Sequence, residues 1–237
     1  MNNIENKGAF SSKEQLAPGV WVYRDVIKKE INVIDRLNAI GNSAINDQDP
    51  RFKWTFGYVG YNEKMPEYRD CEDIKVGDIG IPNTQTEHLV NSLWKDLKES
   101  QSPAVEDYCE KYNVKMNYWE VMNCIRYGKG QHFQEHADHG FSYSATVSLV
   151  AYVNDDYEGG NLYFPKLGLD IKPKAGDLYI FPSTYLFSHR AMPVTSGMKF
   201  SIVTMLDYND HAHRQEFMEM RSKWVEEDSR LGKNLNV

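Results

Sequence analysis

"GQHFQEHADHG", residues 130 to 140, sets His132, His136 and His139 beside Glu135 and Asp138. Two metal-binding patterns overlap in this stretch. His132-Phe-Gln-Glu135-His136 matches H-x-x-E-H, in which two histidines hold zinc and the glutamate is the general base. His136-Ala-Asp138 matches H-x-D, two of the three ligands in the two-histidine, one-carboxylate set that binds non-haem iron(II). The zinc pattern needs a helix, because only there do residues four apart share a face. The iron pattern needs an extended chain, in which His136 and Asp138 face one side while Glu135 and Ala137 face the other. Gly128 and Gly130 disfavour a helix where it would have to start, and Asp138-His139-Gly140 would end it at once. His136 cannot serve both patterns, so the rest of the chain has to decide.

Downstream and just upstream, the sequence reads as strands. "KMNYWEVMNCIRY" alternates, and "SYSATVSLVAYV", "NLYF", "LDIK", "DLYIF" and "MKFSIVTML" follow it, separated by "NDDYEGG", "PKAGD" and "TSGM". Short strands of this kind between 115 and 207 predict an all-β sandwich or barrel. Residues 1–114 are expected to supply a helical support. The polar segment up to Ala17 reads as loose, then "GVWVYRDVI" as a strand, then a helix with Ile27, Ile31, Ile34 and Leu37 on one face. Gly41 to Asp49 reads as a loop, "RFKWTFGYVGY" as strand-like, and Asn62 to Pro82 as a long loop suited to substrate contacts. A helix from Thr86 carries Leu89, Leu93 and Leu97, and a second is expected from Ala104 to Tyr112, started by Pro103. The tail from His211 to Asp228 returns to helical composition. The fold class is therefore mainly β with helical support, in one domain: 1–114 as support and substrate loops, 115–208 as the β core, 209–237 as a helical tail.

The bulk properties narrow the partners. With 237 residues, 41% hydrophobic and 26% charged, the chain can bury a single good-sized core. A net charge of −7 disfavours nucleic acid and anionic membrane as main partners. Cys71, Cys109 and Cys124 are an odd number without C-x-x-C spacing, which argues against a disulfide framework or zinc ribbon and for a reducing, cytoplasmic setting. No signal peptide or membrane span is read in the sequence.

"SHRAMPVTSGMKF" at 188–200 adds His189, Pro193, Val194, Gly197 and Lys199. Together with Tyr127, Gly130, Phe133, His136 and Asp138 in "YGKGQHFQEHAD", "YVNDDYEGGNLYFP" at 152–165 and "KPKAGDLYIFP" at 172–182, it covers about a third of the chain in order. In these segments the chain resembles the iron(II)/2-oxoglutarate-dependent dioxygenases, and among them the prolyl-4-hydroxylase-like group. The resemblance implies a double-stranded β-helix, or jelly roll, core flanked by the N-terminal helices. It implies His136, Asp138 and His189 as iron ligands, 2-oxoglutarate and dioxygen as cosubstrates, and ascorbate as a reductant. It makes Lys199 the counter-ion of the distal 2-oxoglutarate carboxylate, with Tyr127, Tyr152 and Ser201 as hydroxyl donors. The implied substrate is a prolyl residue in a peptide or protein.

Two positions depart from the family pattern. Leu162 stands where threonine often follows the glycine pair, and Met205 where tryptophan often lies near the substrate. A free amino acid or another non-prolyl substrate therefore stays open, as do a jelly-roll binding module without turnover and, third, a zinc peptidase. His132 and His139 are expected outside the ligand set, Asp155, Asp156 and Glu158 in a solvated turn, Cys124 in packing, Phe133 as a wall of the site, and Glu135 pointing away.

Overall fold

The computed structural model describes residues 8–59, 63–140, 143–220 and 223. In chain order its main elements are β1 (Ser12–Ala17), β2 (Val20–Arg24), α1 (Val33–Asn46), β3 (Thr55–Phe56), β4 (Arg69–Asp70), β5 (Glu72–Val76), α2 (Gln85–Tyr112), β6 (Tyr118–Trp119), β7 (Met122–Tyr127), β8 (His132–His136), β9 (Val147–Tyr152), β10 (Glu158–Gly159), β11 (Leu162–Phe164), β12 (Leu169–Ile171), β13 (Leu178–Pro182), β14 (His189–Ala191), β15 (Val194–Ser196) and β16 (Lys199–Asp207). All strand pairs among them are antiparallel.

A nine-stranded sheet runs β1-β2-β13-β9-β16-β7-β5-β3, with β6 also on β16, and a five-stranded sheet runs β12-β11-β14-β8-β4. The period of two sorts the large sheet into two faces. Val147, Leu149 and Ala151 of β9 and Ile202 and Leu206 of β16 pack in one core with Val33, Leu37 and Ile40 of α1 and Val90, Leu93 and Leu97 of α2. Val150 and Tyr152, pointing the other way, pack with Leu162 and Phe164 of the small sheet. Both faces of β9 are thus covered, which is why "VSLVAY" is buried throughout. Among the described residues no helix is long and apolar enough to cross a membrane, and Cys71, Cys109 and Cys124 are free thiols.

The mainly β reading and the strand segments between 115 and 207 agree with the structure, whereas the N-terminal half differs in detail. The segment expected to be loose before Ala17 forms β1, an edge strand on β2. The first helix starts at Val33, because Asp25 (φ 57°) and Asn32 (φ 52°) break the chain on either side of Ile27 and Ile31. It then continues through the expected loop to Asn46, since burying Ile40 and Ala44 outweighs the roughly 1 kcal/mol helix cost of Gly41. The expected loop at 62–82 contains β4 and β5, whose charges are paired: Glu72 with Arg126 at 2.8 Å and Asp73 with Arg69 at 3.0 Å. Instead of two helices there is one, with Pro103 inside it. The proline removes the backbone donor that the Glu99 carbonyl would use, but burial of Leu97, Ala104, Val105 and Tyr108 in the core on either side of it keeps the helix continuous. Of the expected helical tail, residues 215–220 are helical and those beyond 223 lie outside the described residues.

Thr84 starts α2 with a reciprocal cap: its hydroxyl accepts from the Glu87 amide at 3.2 Å while the Glu87 carboxylate accepts from the Thr84 amide at 3.3 Å. Thr84→Ala should cost about 1 kcal/mol, read as a lower urea midpoint with an unchanged slope.

Candidate metal centre and cosubstrate cavity

A turn at Gly128–Gln131, with Gly130 at φ +85°, delivers the chain into β8, so "HFQEH" is strand and not helix. This removes the geometry that H-x-x-E-H requires. β8 pairs with β14 so that His136 stands directly opposite His189, and the two rings lie 4.5 Å apart. Two residues beyond the strand end, Asp138 turns to the same side. Its Oδ1 is 3.6 Å from His136 Nε2 and its Oδ2 is 4.0 Å from His189 Nε2. Among the described residues these three form the one group of side chains able to share a metal ion, all ligand atoms within 4.8 Å of one another.

The hydrogen bonds around the triad fit that use. His136 Nδ1 donates to the Gln134 carbonyl at 2.8 Å and His189 Nδ1 to the Phe187 carbonyl at 3.2 Å, which leaves each Nε2 lone pair for a ligand. Burial and the neighbouring His189 push the His136 pKa down, keeping the ring neutral. Ser148 Oγ donates to Asp138 Oδ2 at 2.5 Å and is itself within 2.8 Å of Ser183 Oγ. Ligand atoms around a first-row divalent ion with bonds of about 2.1 Å lie about 3 Å apart, so a triad whose ligand atoms lie within 4.8 Å of one another would close by up to about 2 Å on a metal.

A bulge in β8 sets the wall beside it. Going from His136 to Phe133 takes one more step than going from His189 to Ala191. Phe133 is thereby brought onto the face of His136 and stacks on it, centroids 3.6 Å apart and planes 14° apart. The Arg69 guanidinium lies over the Phe133 ring, 5.0 Å from its centre. Glu135 points away, bonded to Ser188 Oγ at 2.6 Å and Lys166 Nζ at 3.0 Å. His132 and His139 contact backbone carbonyls and stand outside the triad. Asp155, Asp156 and Glu158 sit in or beside an exposed turn and assemble no second metal group among the described residues.

The triad opens on a cavity between the sheets, and Lys199 lines it from β16. Lys199 is 1% exposed; its Nζ donates to the Gly160 carbonyl at 3.1 Å and lies 4.2 Å from the centre of the Tyr127 ring. Among the described residues no carboxylate acts on it, and burial lowers its pKa to about 7. Tyr127 is opposite Lys199 across β7/β16, and Tyr152 is opposite Ser201 across β9/β16. All of them line the same cavity, as do Leu162 and Met205. The Tyr127 hydroxyl reaches the Cys71 thiol, and burial pushes both tyrosine pKa values well above their usual range. The sequence reading missed Arg69, Asn123 and Ser148. Ser148 left a signal, a lone polar side chain in the apolar run "VSLVAY"; Arg69, in a charge-rich stretch, left none.

Residues 122–206 match the 2OG-Fe(II) oxygenase superfamily. Over 195 residues the chain is 30% identical to a protein of Acanthamoeba polyphaga mimivirus provisionally named a prolyl 4-hydroxylase, a match that takes in 66% of this chain and 81% of that protein. The chain belongs to the 2OG-Fe(II) oxygenase superfamily. It is an oxidoreductase whose metal is iron(II) and whose cosubstrates are 2-oxoglutarate and dioxygen. A PKHD-type hydroxylase of Xylella fastidiosa (strain M12) is 37% identical over 81 residues, 31% of this chain and 34% of that one. The fold is also that of a Trichoplax adhaerens prolyl hydroxylase solved with a hypoxia inducible factor peptide (TM-score 0.62, 15% identity, 79% of this chain and 83% of that). A Pseudomonas putida prolyl-4-hydroxylase is similar in fold too (TM-score 0.54, 18% identity, 79% of this chain and 92% of that).

The lowered Lys199 pKa has a thermodynamic sign. Between pH 10.5, the usual lysine value, and about 7, the unfolded chain holds a proton at this position that the fold gives up. Without cosubstrate, stability therefore falls as pH drops through that window. Lys199→Met should be more stable than the parent at pH 7, by up to a few kcal/mol, with the gap closing above pH 10.5. Added 2-oxoglutarate should raise the melting temperature of the parent and not of the variant; urea titrations across pH and thermal melts read both.

Proposed function

We propose that the chain is an iron(II)- and 2-oxoglutarate-dependent dioxygenase that hydroxylates a C–H bond of a prolyl residue in a peptide or protein. The two facing sheets are read as its jelly roll, with 1–114 extending and supporting the 115–208 core and 209–237 as a tail. His136, Asp138 and His189 would hold the metal, two imidazoles and one carboxylate being a donor set that suits iron(II). Lys199 pairs with the distal carboxylate of 2-oxoglutarate, and Tyr127, Tyr152 and Ser201 supply the polar lining around it.

Lys199 is the observation that carries this reading. A buried ammonium with one carbonyl for a partner is costly by itself, and a dicarboxylic cosubstrate supplies the missing charge. When bound, iron(II) with 2-oxoglutarate and dioxygen supplies the oxidation, yielding succinate, CO2 and the hydroxylated product. The protein's part is placement: Ser148 fixes the Asp138 carboxylate, the Gln134 and Phe187 carbonyls fix the two imidazoles, and the two sheets keep water from Lys199. The prolyl target is supported by the name of the mimivirus relative. Met205 on the cavity wall favours, as a second reading, a target other than proline.

Protein reconstituted with iron(II) should form succinate only when both metal and 2-oxoglutarate are present, and His136→Ala should fall to background. Undiminished turnover in that variant contradicts the assignment. For the substrate, mass spectrometry of proline-containing peptides after turnover should find one added oxygen on proline. Oxygen gained only by amino acids or by other side chains favours the second reading.

A further inference from the structure

The strands that line the cavity bring one further charged side chain beside Met205, on its wall. β6 and β7 both pair with β16, but in different registers. Asn123 is opposite Val203 and Trp119 opposite Leu206, so three steps along β16 are matched by four along the neighbouring chain. The extra residue makes a β-bulge, a device that re-aims side chains. The Glu120 amide donates to the Met205 carbonyl at 3.0 Å, which sets Glu120 opposite Met205 and leaves Val121 as the extra residue, 40% exposed. Cross-strand partners share a face, and Met205 lines the cavity, so the bulge turns Glu120 towards it.

The same row continues from Met205 to Ser148 on β9, whose hydroxyl holds Asp138. Two strand spacings separate Glu120 from Ser148, about 10 Å. The carboxylate is close enough to feel the Asp138 charge. Beside it the buried Tyr143 hydroxyl lies against the Glu120 carboxylate, and its hydrogen bond partly offsets the burial that raises the Glu120 pKa. Among the described residues no cation forms an ion pair with Glu120; Lys75 acts on it only through space. Burial holds its pKa up to about 7, and an arriving cation would convert it wholly to the ionised form.

We propose that Glu120, with Tyr143, selects substrates that carry a positive charge, a lysine or arginine side chain, one or two residues from the residue being hydroxylated. The inference rests on the oxygenase reading and names its substrate class. A separation of about 10 Å suits a long basic side chain flanking the target, because extended residues advance about 3.3 Å each. The net charge of −7 adds long-range attraction for such peptides.

The test uses two fluorescein-labelled peptides with a single proline, identical except for lysine or glutamate on both sides of it. Anisotropy should show the parent protein binding the lysine peptide about tenfold more tightly or better. Glu120→Gln should bring the two within about twofold, and Glu120→Lys should reverse the preference, a gain that misfolding cannot produce. Equal binding by the parent, no binding of either peptide, or a preference that persists in Glu120→Gln overturns the inference. Succinate release by the parent without peptide is measured in parallel; its absence overturns the oxygenase reading separately.

Discussion

One strand, β16, imposes the constraint on which the site depends. Helices cover one of its faces and the small sheet the other, so its alternation leaves no side chain free to choose. Ile202 and Leu206 go to the helices, while Lys199, Ser201, Val203 and Met205 go to the cavity. A one-residue slip would exchange the sets, putting the ammonium into an apolar core and isoleucine into the cosubstrate's place. The cost is prohibitive, and pairing with β7 and β9 on both edges holds the register along β16.

Within that frame, departures from regularity do the fine placement. The bulge in β8 lays Phe133 on His136, and the one between β6 and β7 turns Glu120 towards the cavity. Each inserts a single residue, so each can re-aim a side chain without disturbing the paired strand opposite. Of the three candidate metal ligands, the two histidines stand on adjacent strands directly opposite each other, where positional error is least, and Asp138 follows just beyond the end of β8.

This division explains what could be read beforehand. His136, Asp138, His189 and Lys199 could be named from the sequence because the segments that carry them resemble the family's motifs in order, and Lys199 also interrupts an apolar strand. The strands of the core were legible from alternation. β5 was not, because Glu72, Asp73 and Lys75 look like a solvated loop until Arg126 and Arg69, distant in sequence or on another strand, pair with two of them. The helix through Pro103 was hidden for a similar reason: proline is a local stop signal, and tertiary burial on both sides of it overrode that signal. Glu120 was invisible because its direction depends on a register shift that no local pattern encodes.

Lys199 and Glu120 put opposite demands on the same cavity. In the proposed reading the buried ammonium takes an anion at a point six residues along β16 from Met205, about 20 Å of strand. The Glu120 carboxylate, opposite Met205, favours a cation. In the proposed roles a dicarboxylate is drawn to the Lys199 end of this row and a basic peptide to the Glu120 end, so two charges that are poorly compensated within the protein sort cosubstrate from substrate by sign and by position along β16.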